Sequence, residues 1–228
     1  YIMFCDQDDY WLPTKIEEQL KAIRTVEQKY GDVPAVSFCN LKVVNDDLTV
    51  ISDDYLYYSG FVAKNTNYKQ LLINNVAPGC AMIINRNLAN LALSYKCIEN
   101  IDMHDWWCMI LASIYGKINY LDKTLILYCQ HIDNVVGAIR NRNPIDRMLR
   151  NLQAVSQGQI MVKKRQWIKS VCAQAKELTS YSTLPKTVYD DVYMLANIDR
   201  FPKWKRMLVF LSHNWGSNNK KLWIALWI

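Results

Sequence analysis

Three carboxylates, Asp6, Asp8 and Asp9, stand within four residues directly after an apolar run. The run over residues 1–5 is typical of a buried strand, and in open α/β sheets ligands bind just outside the carboxyl ends of the strands. Clustered carboxylates repel one another unless a hard cation joins them, and Mg²⁺ or Mn²⁺ is the usual ion. This spacing predicts a site for one of these ions. The alternative is a solvated acidic turn that begins a helix.

A second group with chemical potential is His104-Asp105-Trp106-Trp107. Taken alone, these residues favour a structural role, because Asp is a preferred helix N-cap and tryptophans are commonly core residues. An N-cap carboxylate can nevertheless also face a cleft. We expect His104 to be a hydrogen-bonding neighbour of Asp105.

Two further segments combine polar groups with turns. Gln130, His131 and Asn134 follow a strand-like run, and a lone histidine at a strand end is more often structural than functional. The segment over residues 77–82 contains Pro78-Gly79, which an ordinary turn into a strand would explain.

These residues require a scaffold of alternating strands and helices. Thr14 and Glu17 have the capping-box spacing at the start of a helix that ends near Gly31. Strands are predicted at about 34–51 with a turn near 45–47, at 77–86, and as a pair over 117–130; helices are predicted at about 68–74, 87–95 and 105–115, with a tyrosine-rich loop over 52–66. The alternation predicts an α/β sandwich with a largely parallel sheet.

The pattern becomes helical after Pro144, with helices predicted at about 145–178, 185–198 and 202–212. We therefore expect a boundary near residue 140. Basic residues also concentrate from Arg140 onward within a net charge of +6, which favours an anionic partner such as a membrane surface. Lysines and tryptophans beside short apolar runs near the C-terminus are typical of interfacial helices, or of a helical appendage that packs on the rest of the protein.

Composition limits the class of protein. Half of the 228 residues are apolar, and glycine and proline are sparse, which favours a packed globular protein over disorder. Seven scattered cysteines without a Cys-x-x-Cys pair fit reduced, buried thiols in a cytoplasmic protein. The sequence has neither a secretory signal nor an apolar run of about 18 residues. The C-terminal part lacks a recognisable nucleic-acid-binding motif, so we expect no nucleic-acid partner.

Residues 6–16, Asp-Gln-Asp-Asp-Tyr-Trp-Leu-Pro-Thr-Lys-Ile, resemble a segment of family 2 glycosyltransferases in the rhamnosyltransferase-like branch. The resemblance implies a GT-A fold, which is Rossmann-like with a mainly parallel sheet, and it assigns Asp6 and Asp8 to a divalent ion on the donor diphosphate. Relatives carry strand–helix units before this segment that bind the nucleotide. We therefore expect an N-terminally truncated chain: a partial GT-A domain over residues 1–139 and a helical, basic extension over 140–228.

The same resemblance implies roles for the other segments. Asp105 would be the catalytic base, and the segment after residue 128 would close over the diphosphate, although Cys129 stands where the family usually has arginine. The implied diphosphate contacts are Gln130, His131 and Asn134, with His131 also a candidate metal ligand. The implied acceptor-binding residues are Gly79, Cys80, Met82 and Trp106.

Together these features predict an inverting, metal-dependent glycosyltransferase. Inversion requires a carboxylate to take the acceptor proton and a cation to neutralise the leaving diphosphate. The expected partners are a nucleoside-diphosphate sugar, with rhamnose the favoured sugar, and a glycan or lipid-linked glycan acceptor. The expected location is the cytoplasm, peripheral on the inner face of a bacterial membrane. The alternative is a catalytically incompetent sugar- or membrane-binding module derived from such an enzyme.

Overall fold

The computed structural model describes residues 1–64, 66–130, 159–180, 183–213 and 215. The chain forms two compact units. Unit 1 comprises Tyr1–Asn67, Asn75–Ser94 and Met103–Asn141, and unit 2 comprises Tyr68–Asn74, Tyr95–Asp102 and Arg142–Ile228. Two short segments that lie within the predicted catalytic domain therefore belong to unit 2.

Unit 1 contains a six-stranded mixed sheet. Its strands are β1 (Ile2–Met3), β2 (Tyr10–Trp11), β3 (Ala35–Val44), β4 (Val50–Ser52), β5 (Met82–Ile84) and β6 (Lys117–Cys129). The order is β1-β5-β3-β6-β2, and β4 pairs with the end of β3. Among the described strands, β3 and β6 form the one parallel pair, and the other pairs are antiparallel.

The predicted largely parallel sheet is therefore wrong. The prediction rested on the alternation of strands and helices along the sequence, and that alternation does not fix the direction of neighbouring strands. Nearly every residue of the central strand β3 is buried. Burial on both faces gives the same apolar run whether a central strand has parallel or antiparallel neighbours. The coarser prediction, a mixed α/β architecture, is confirmed.

The described residues of unit 1 form the helices α1 (Lys15–Tyr30), α2 (Tyr55–Ser59), α4 (Arg86–Leu93) and α5 (His104–Tyr115). Helices α1 and α5 both pack on β3 and β6. Helix α2 lies inside the predicted tyrosine-rich loop, and the predicted strand pair over 117–130 is the single strand β6.

Two of the predicted helix caps differ from the structure. Thr14 precedes α1 but makes no side-chain cap, because its backbone is already helical (φ −88°, ψ −2°) rather than extended. Met103, not Asp105, is the N-cap of α5, so Asp105 lies in the first helical turn. A capping role therefore does not explain the presence of Asp105.

Asn85 connects the sheet of unit 1 to α4. Its side chain is buried, and its Oδ1 accepts from the backbone N–H groups of Ala35 (2.9 Å) and Leu88 (3.0 Å). Its Nδ2 donates to the carbonyl of Val33 at 2.8 Å. One side chain thus caps α4 and fixes the start of β3.

Unit 2 is helical. It contains α3 (Tyr68–Leu71), α6 (Gln159–Thr179), α7 (Lys186–Ala196) and α8 (Lys203–Ser212), and α6 packs against α7. The part of the first predicted helix before Gln159 lies outside the described residues. In the described part of the chain, no helix is both long enough and apolar enough to cross a bilayer.

Two buried carboxylates hold the short segments of unit 2 to its helices. Glu177 accepts from the backbone N–H of Cys97 (3.3 Å) and from Nδ2 of Asn100 (3.2 Å). Asp191 on α7 accepts from the Tyr68 hydroxyl (2.5 Å) and pairs with Lys69 (3.1 Å). These contacts place residues 68–74 and 95–102 in unit 2 despite their position in the sequence.

His213 is the third partner of Asp191. Its Nδ1 contacts Asp191 Oδ1, and its ring stacks on Trp215 with the centroids 4.8 Å apart. Burial alone would raise the pKa of Asp191, but the hydrogen bonds from His213, Tyr68 and Lys69 outweigh it and lower the pKa. Asp191 is therefore an ionised group at neutral pH that binds three segments of unit 2.

Candidate functional site

The three N-terminal carboxylates lie on a turn between β1 and β2. The backbone N–H of Asp9 points to the carbonyl of Asp6 at 3.4 Å, so these two residues are the ends of the turn. The ends of a four-residue turn lie close together, whereas its central residues point away. Asp6 and Asp9 accordingly approach each other, and Asp8 is exposed.

Asp6, Asp9 and Cys80 form a group that is able to hold a metal ion. One carboxylate oxygen of each aspartate and the Sγ of Cys80 all lie within 4.8 Å of one another. Asp8 is not part of this group. The structure thus brings Asp6 together with Asp9, whereas the sequence pattern pointed to Asp6 with Asp8.

Asp9 is the carboxylate most affected by its surroundings. Its Oδ1 accepts from the backbone N–H of Cys129 at 3.2 Å, and the Cys80 thiol also interacts with the carboxylate. Among the described residues, its buried Oδ2 has no hydrogen bond of normal geometry. Burial, with smaller contributions from Asp6 and Asp8, raises the pKa of Asp9 to about 6. A buried carboxylate whose charge no described cation neutralises, beside a second carboxylate, favours a bound cation.

The donor set fits a hard cation. Burial and the neighbouring carboxylate of Asp9 raise the pKa of the Cys80 thiol far above neutrality, so Cys80 is protonated and a poor ligand. The remaining donors are carboxylate oxygens, which Mg²⁺ and Mn²⁺ prefer. Asp6 and Asp9 would therefore hold such an ion, and the uncharged Cys80 thiol would line the site without binding the ion.

Lys15 is a buried cation near this group. Its ammonium lies 3.5 Å from the ring centroid of Trp11 and donates to Gln19 Oε1 at 3.0 Å. Burial lowers the pKa of Lys15 to about 8, while the charge of Asp9 is among the weaker influences that oppose this shift. Gln19 in turn donates to the carbonyl of Ala81 at 2.5 Å, which connects α1 to the segment that carries Cys80.

The segment containing Gly79 connects the carboxylate turn with the start of α5. The Gly79 N–H hydrogen-bonds the Asp105 carboxylate, and the His104 ring packs against Phe4 with the centroids 4.4 Å apart. A Cβ on Gly79 would lie only 2.7 Å from His104 Nε2, so glycine permits this close approach. Three separate sequence segments therefore meet here.

Asp105 is almost completely buried. Burial raises its pKa, and the N–H of Trp106 (2.6 Å), the charge of His104 and the N–H of Gly79 oppose that rise. The net direction is upward, toward the range in which a carboxylate accepts a proton efficiently near neutral pH. The charge of His104 acts on Asp105, as expected of a neighbour, and the His104 imidazole lies against Phe4 and Gly79.

The residues implied for acceptor binding are all buried: Gly79, Cys80, Met82 and Trp106. Met82 belongs to β5, where it pairs with Phe38 in the interior of the sheet. Gly79 and Cys80 contact the carboxylate groups directly, whereas Met82 supports the strand behind them. Direct contact with an acceptor therefore remains a prediction for these four residues.

The diphosphate-binding prediction falls partly on described residues. Gln130 follows β6, and its Nε2 is buried without a hydrogen-bonding partner in the described part of the chain. His131 and Asn134 lie outside the described residues. Cys129, at the position where the resembling family usually has arginine, donates its backbone N–H to Asp9.

Asp9 belonged to the predicted carboxylate cluster, but the resemblance assigned the ion to Asp6 and Asp8. Lys15 received no role in the site. The signal for Asp9 was its position three residues after Asp6, which matches the first and last residues of a four-residue turn. The signal for Lys15 was a lone lysine in the first turn of a helix that begins six residues after the carboxylates. Lysine is rarely buried unless an opposite charge or an aromatic ring accommodates it.

Comparison with known proteins adds no relative. No protein-family model and no curated protein sequence matches this chain. The assignment of a function therefore depends on the geometry of the site and on the resemblance of residues 6–16.

Proposed function

We propose that this chain is the catalytic part of an inverting, metal-dependent glycosyltransferase. Its donor would be a nucleoside-diphosphate sugar, with rhamnose the favoured sugar, and its acceptor a hydroxyl of a cell-surface or lipid-linked glycan. The reaction would take place in the cytoplasm, at the inner face of a bacterial membrane. The GT-A assignment of unit 1 is part of this proposal.

One observation carries the proposal: two consecutive residues contact both of the groups that the reaction needs. Cys80 lies against Asp6 and Asp9, and Gly79 hydrogen-bonds Asp105. A cation site and a candidate base are therefore held by one short segment. A rigid connection of this kind suits a reaction in which leaving group and nucleophile are activated together.

The residues divide the chemistry between them. A Mg²⁺ or Mn²⁺ ion held by Asp6 and Asp9 would neutralise the charge that develops on the departing diphosphate. Asp105, with its raised pKa, would take the proton of the acceptor hydroxyl. Gln130, His131 and Asn134 are proposed to contact the diphosphate, with Asp8 and His131 as additional candidate ligands of the ion.

A second candidate function is a sugar-binding module without turnover. Two observations favour it: Asp105 is only 3% exposed, and Cys129 stands where a cation would help to bind phosphate. This module would bind a sugar ligand but release no nucleoside diphosphate.

Calorimetry tests the metal site, and a transfer assay tests the base. We expect Mn²⁺ to bind the wild-type chain, and UDP or dTDP to bind only when Mn²⁺ is present and the nucleotide-binding units that the resemblance implies are joined to the chain. Asp9→Asn should remove both events, whereas Asp102→Asn, at an exposed carboxylate of unit 2, should change neither. Asp105→Asn should preserve metal and nucleotide binding and abolish sugar transfer.

Each outcome separates the two functions. Metal-dependent nucleotide binding together with loss of transfer in Asp105→Asn supports the transferase. Sugar binding without any metal-dependent nucleotide binding, by protein with a native circular dichroism spectrum, contradicts the transferase and favours the binding module.

A further inference from the structure

Helix α8 exposes an apolar stripe. Trp204, Leu208 and Leu211 are 62%, 53% and 46% exposed, and their spacing of four and three residues places them on one face of the helix. We call these three residues the α8 stripe. The other side of the helix is anchored in unit 2 by Val209 and Phe210, which are buried. The stripe is therefore held outward by the packing of the helix itself.

Lysines border the stripe on both sides. At about 100° per residue, Lys203 and Lys205 fall on opposite flanks of the face centred on Trp204, and both are exposed. Helix α8 contains no aspartate or glutamate. Asp199, the nearest preceding carboxylate, lies 4.0 Å from Lys176. The face of α8 is consequently apolar along its centre and cationic at both edges.

Arg206 has a structural role. Its Nε donates to the carbonyl of Phe201 at 2.7 Å, and its Nη2 donates to the carbonyl of Asp199 at 2.7 Å. Its guanidinium thus fixes the entry into α8. Lys203 is exposed, and the exposed Lys205 has its ammonium 4.6 Å from the ring centroid of Phe201, a contact that leaves its charge in place. These two flanking lysines are the charges that the edges of the stripe offer to a partner.

We propose that the α8 stripe docks flat on an anionic lipid surface. An amphipathic helix in the plane of a membrane places leucines at the acyl boundary, a tryptophan at the level of the headgroups, and lysines toward the lipid phosphates. The arrangement of α8 matches each of these requirements. The inference concerns unit 2 and does not depend on the proposed transferase activity.

Charge complementarity favours lipid over a second copy of the chain. In a symmetric dimer the same face meets itself, so two apolar stripes would pair while their flanking lysines faced one another. Like charges brought together at an interface oppose association. Residues 140–228 also carry many more Lys and Arg than Asp and Glu, which adds long-range attraction to an anionic surface.

Vesicle flotation tests the proposal on the full 228-residue chain. Wild type should float with phosphatidylcholine vesicles that contain about 30% phosphatidylglycerol, should stay behind with pure phosphatidylcholine, and should be released by salt. The double variant Leu208→Asp/Leu211→Asp should bind at least tenfold more weakly. The matched control is Leu93→Asp, because Leu93 is 77% exposed on α4 of unit 1, and it should bind as wild type does.

Two further variants test the edges and the depth of the contact. Lys203→Gln/Lys205→Gln should lose about fivefold in partitioning for each lysine, while Lys21→Gln on α1 should lose little. Trp204→Phe should keep binding, because the ring remains apolar. Brominated lipids should quench its tryptophan fluorescence less than that of wild type.

Binding that is unchanged in Leu208→Asp/Leu211→Asp, with an unchanged circular dichroism spectrum, would overturn the proposal and assign lipid binding to another part of the chain, such as residues 216–228. A concentration-dependent dimer that this variant dissolves, without lipid binding by wild type, would overturn it in favour of self-association. Absence of both binding and dimerisation in folded wild-type protein would also refute it.

Discussion

Replacing Asp9 with asparagine should stabilise the protein without metal and destabilise it relative to wild type with metal. The Asp9 carboxylate is partly buried, and no described residue makes a hydrogen bond of normal geometry to its Oδ2. An ionised group in this position opposes folding, and an amide of the same shape does not carry that charge. A bound cation neutralises the negative charge of the buried carboxylate and so stabilises the fold. The neutral amide of the variant binds the cation only weakly.

The magnitude follows from the pKa. A rise from 3.8 to about 6 corresponds to about 3 kcal/mol. Because Asp9 retains some exposure, solvent screening reduces the expected effect to about 1–2 kcal/mol. The sign depends on pH: the folded protein holds the proton more tightly, so Asp9 costs nothing below about pH 4, and the penalty grows until pH exceeds about 6. Asp9→Asn should therefore be more stable than wild type at pH 7.5 and not at pH 4.

Urea unfolding in EDTA and in Mn²⁺ measures the difference in stability between Asp9→Asn and wild type without and with the metal. In EDTA at pH 7.5, Asp9→Asn should unfold with a free energy about 1–2 kcal/mol above that of wild type. Mn²⁺ at a hundredfold excess over its dissociation constant should stabilise wild type by about 2.7 kcal/mol and leave the variant almost unchanged, which reverses the order. Asp8→Asn is the control in EDTA, because Asp8 is exposed and should shift stability by less than about 0.5 kcal/mol.

The reasoning fails if Asp9→Asn loses 1 kcal/mol or more in EDTA at pH 7.5 (by the scale of a lost hydrogen bond), because ionised Asp9 would then be a satisfied group. Equal stabilisation of wild type and variant by Mn²⁺ would remove Asp9 from the metal site. Loss of the Mn²⁺ effect in Asp8→Asn would return Asp8 to the ligand set that the sequence pattern predicted.

Three further predictions concern the scaffold. Asp191→Asn should lower the free energy of unfolding by about 3 kcal/mol. Because the pKa of Asp191 is lowered in the fold, the variant should also lose less stability than wild type when the pH falls below about 4. Asp190→Asn, at the exposed neighbouring carboxylate, should show neither effect in the same acid titration. Asn85→Ala should cost about 3 kcal/mol in urea unfolding, because it leaves buried backbone groups unpaired, whereas Asn90→Ala on the exposed side of the same helix should change stability little. Gly79→Ala should keep the fold at a cost of about 1 kcal/mol and move the adjacent imidazole, which histidine NMR signals would report.

The elements of the fold were largely predictable from local pattern, and their pairing was not. Helix α1 and strand β3 appear where periodicity and apolar runs predicted them. Periodicity describes which residues are buried, whereas the direction of a neighbouring strand depends on how the intervening chain crosses the sheet. The antiparallel position of β5 between β1 and β3 depends on the path of the chain in this way.

The candidate site was predictable by segment but not by side chain. The sequence pointed to the carboxylate cluster, to the segment with Gly79 and to the start of α5, and the structure brings these three together. Which aspartate turns inward depends on the turn between β1 and β2, and a pattern of alternate residues cannot show that geometry. The burial of Lys15 was equally unpredictable from the sequence, because a lysine in the first turn of a helix is usually solvated.

The crossing of the chain between the two units has a consequence for its synthesis. Tyr68 is separated by 123 residues from Asp191, the carboxylate that it contacts. At roughly 5–20 residues per second, a ribosome needs about 6–25 s to add that length. During this time Leu71, Leu72 and Ile73, which are buried in the finished fold, have been made without the helices of their own unit. Residues 68–74 are therefore an apolar segment that stays exposed on the nascent chain until the rest of unit 2 has been synthesised. The yield of folded protein in a cell should depend on chaperones that bind this segment until translation is complete.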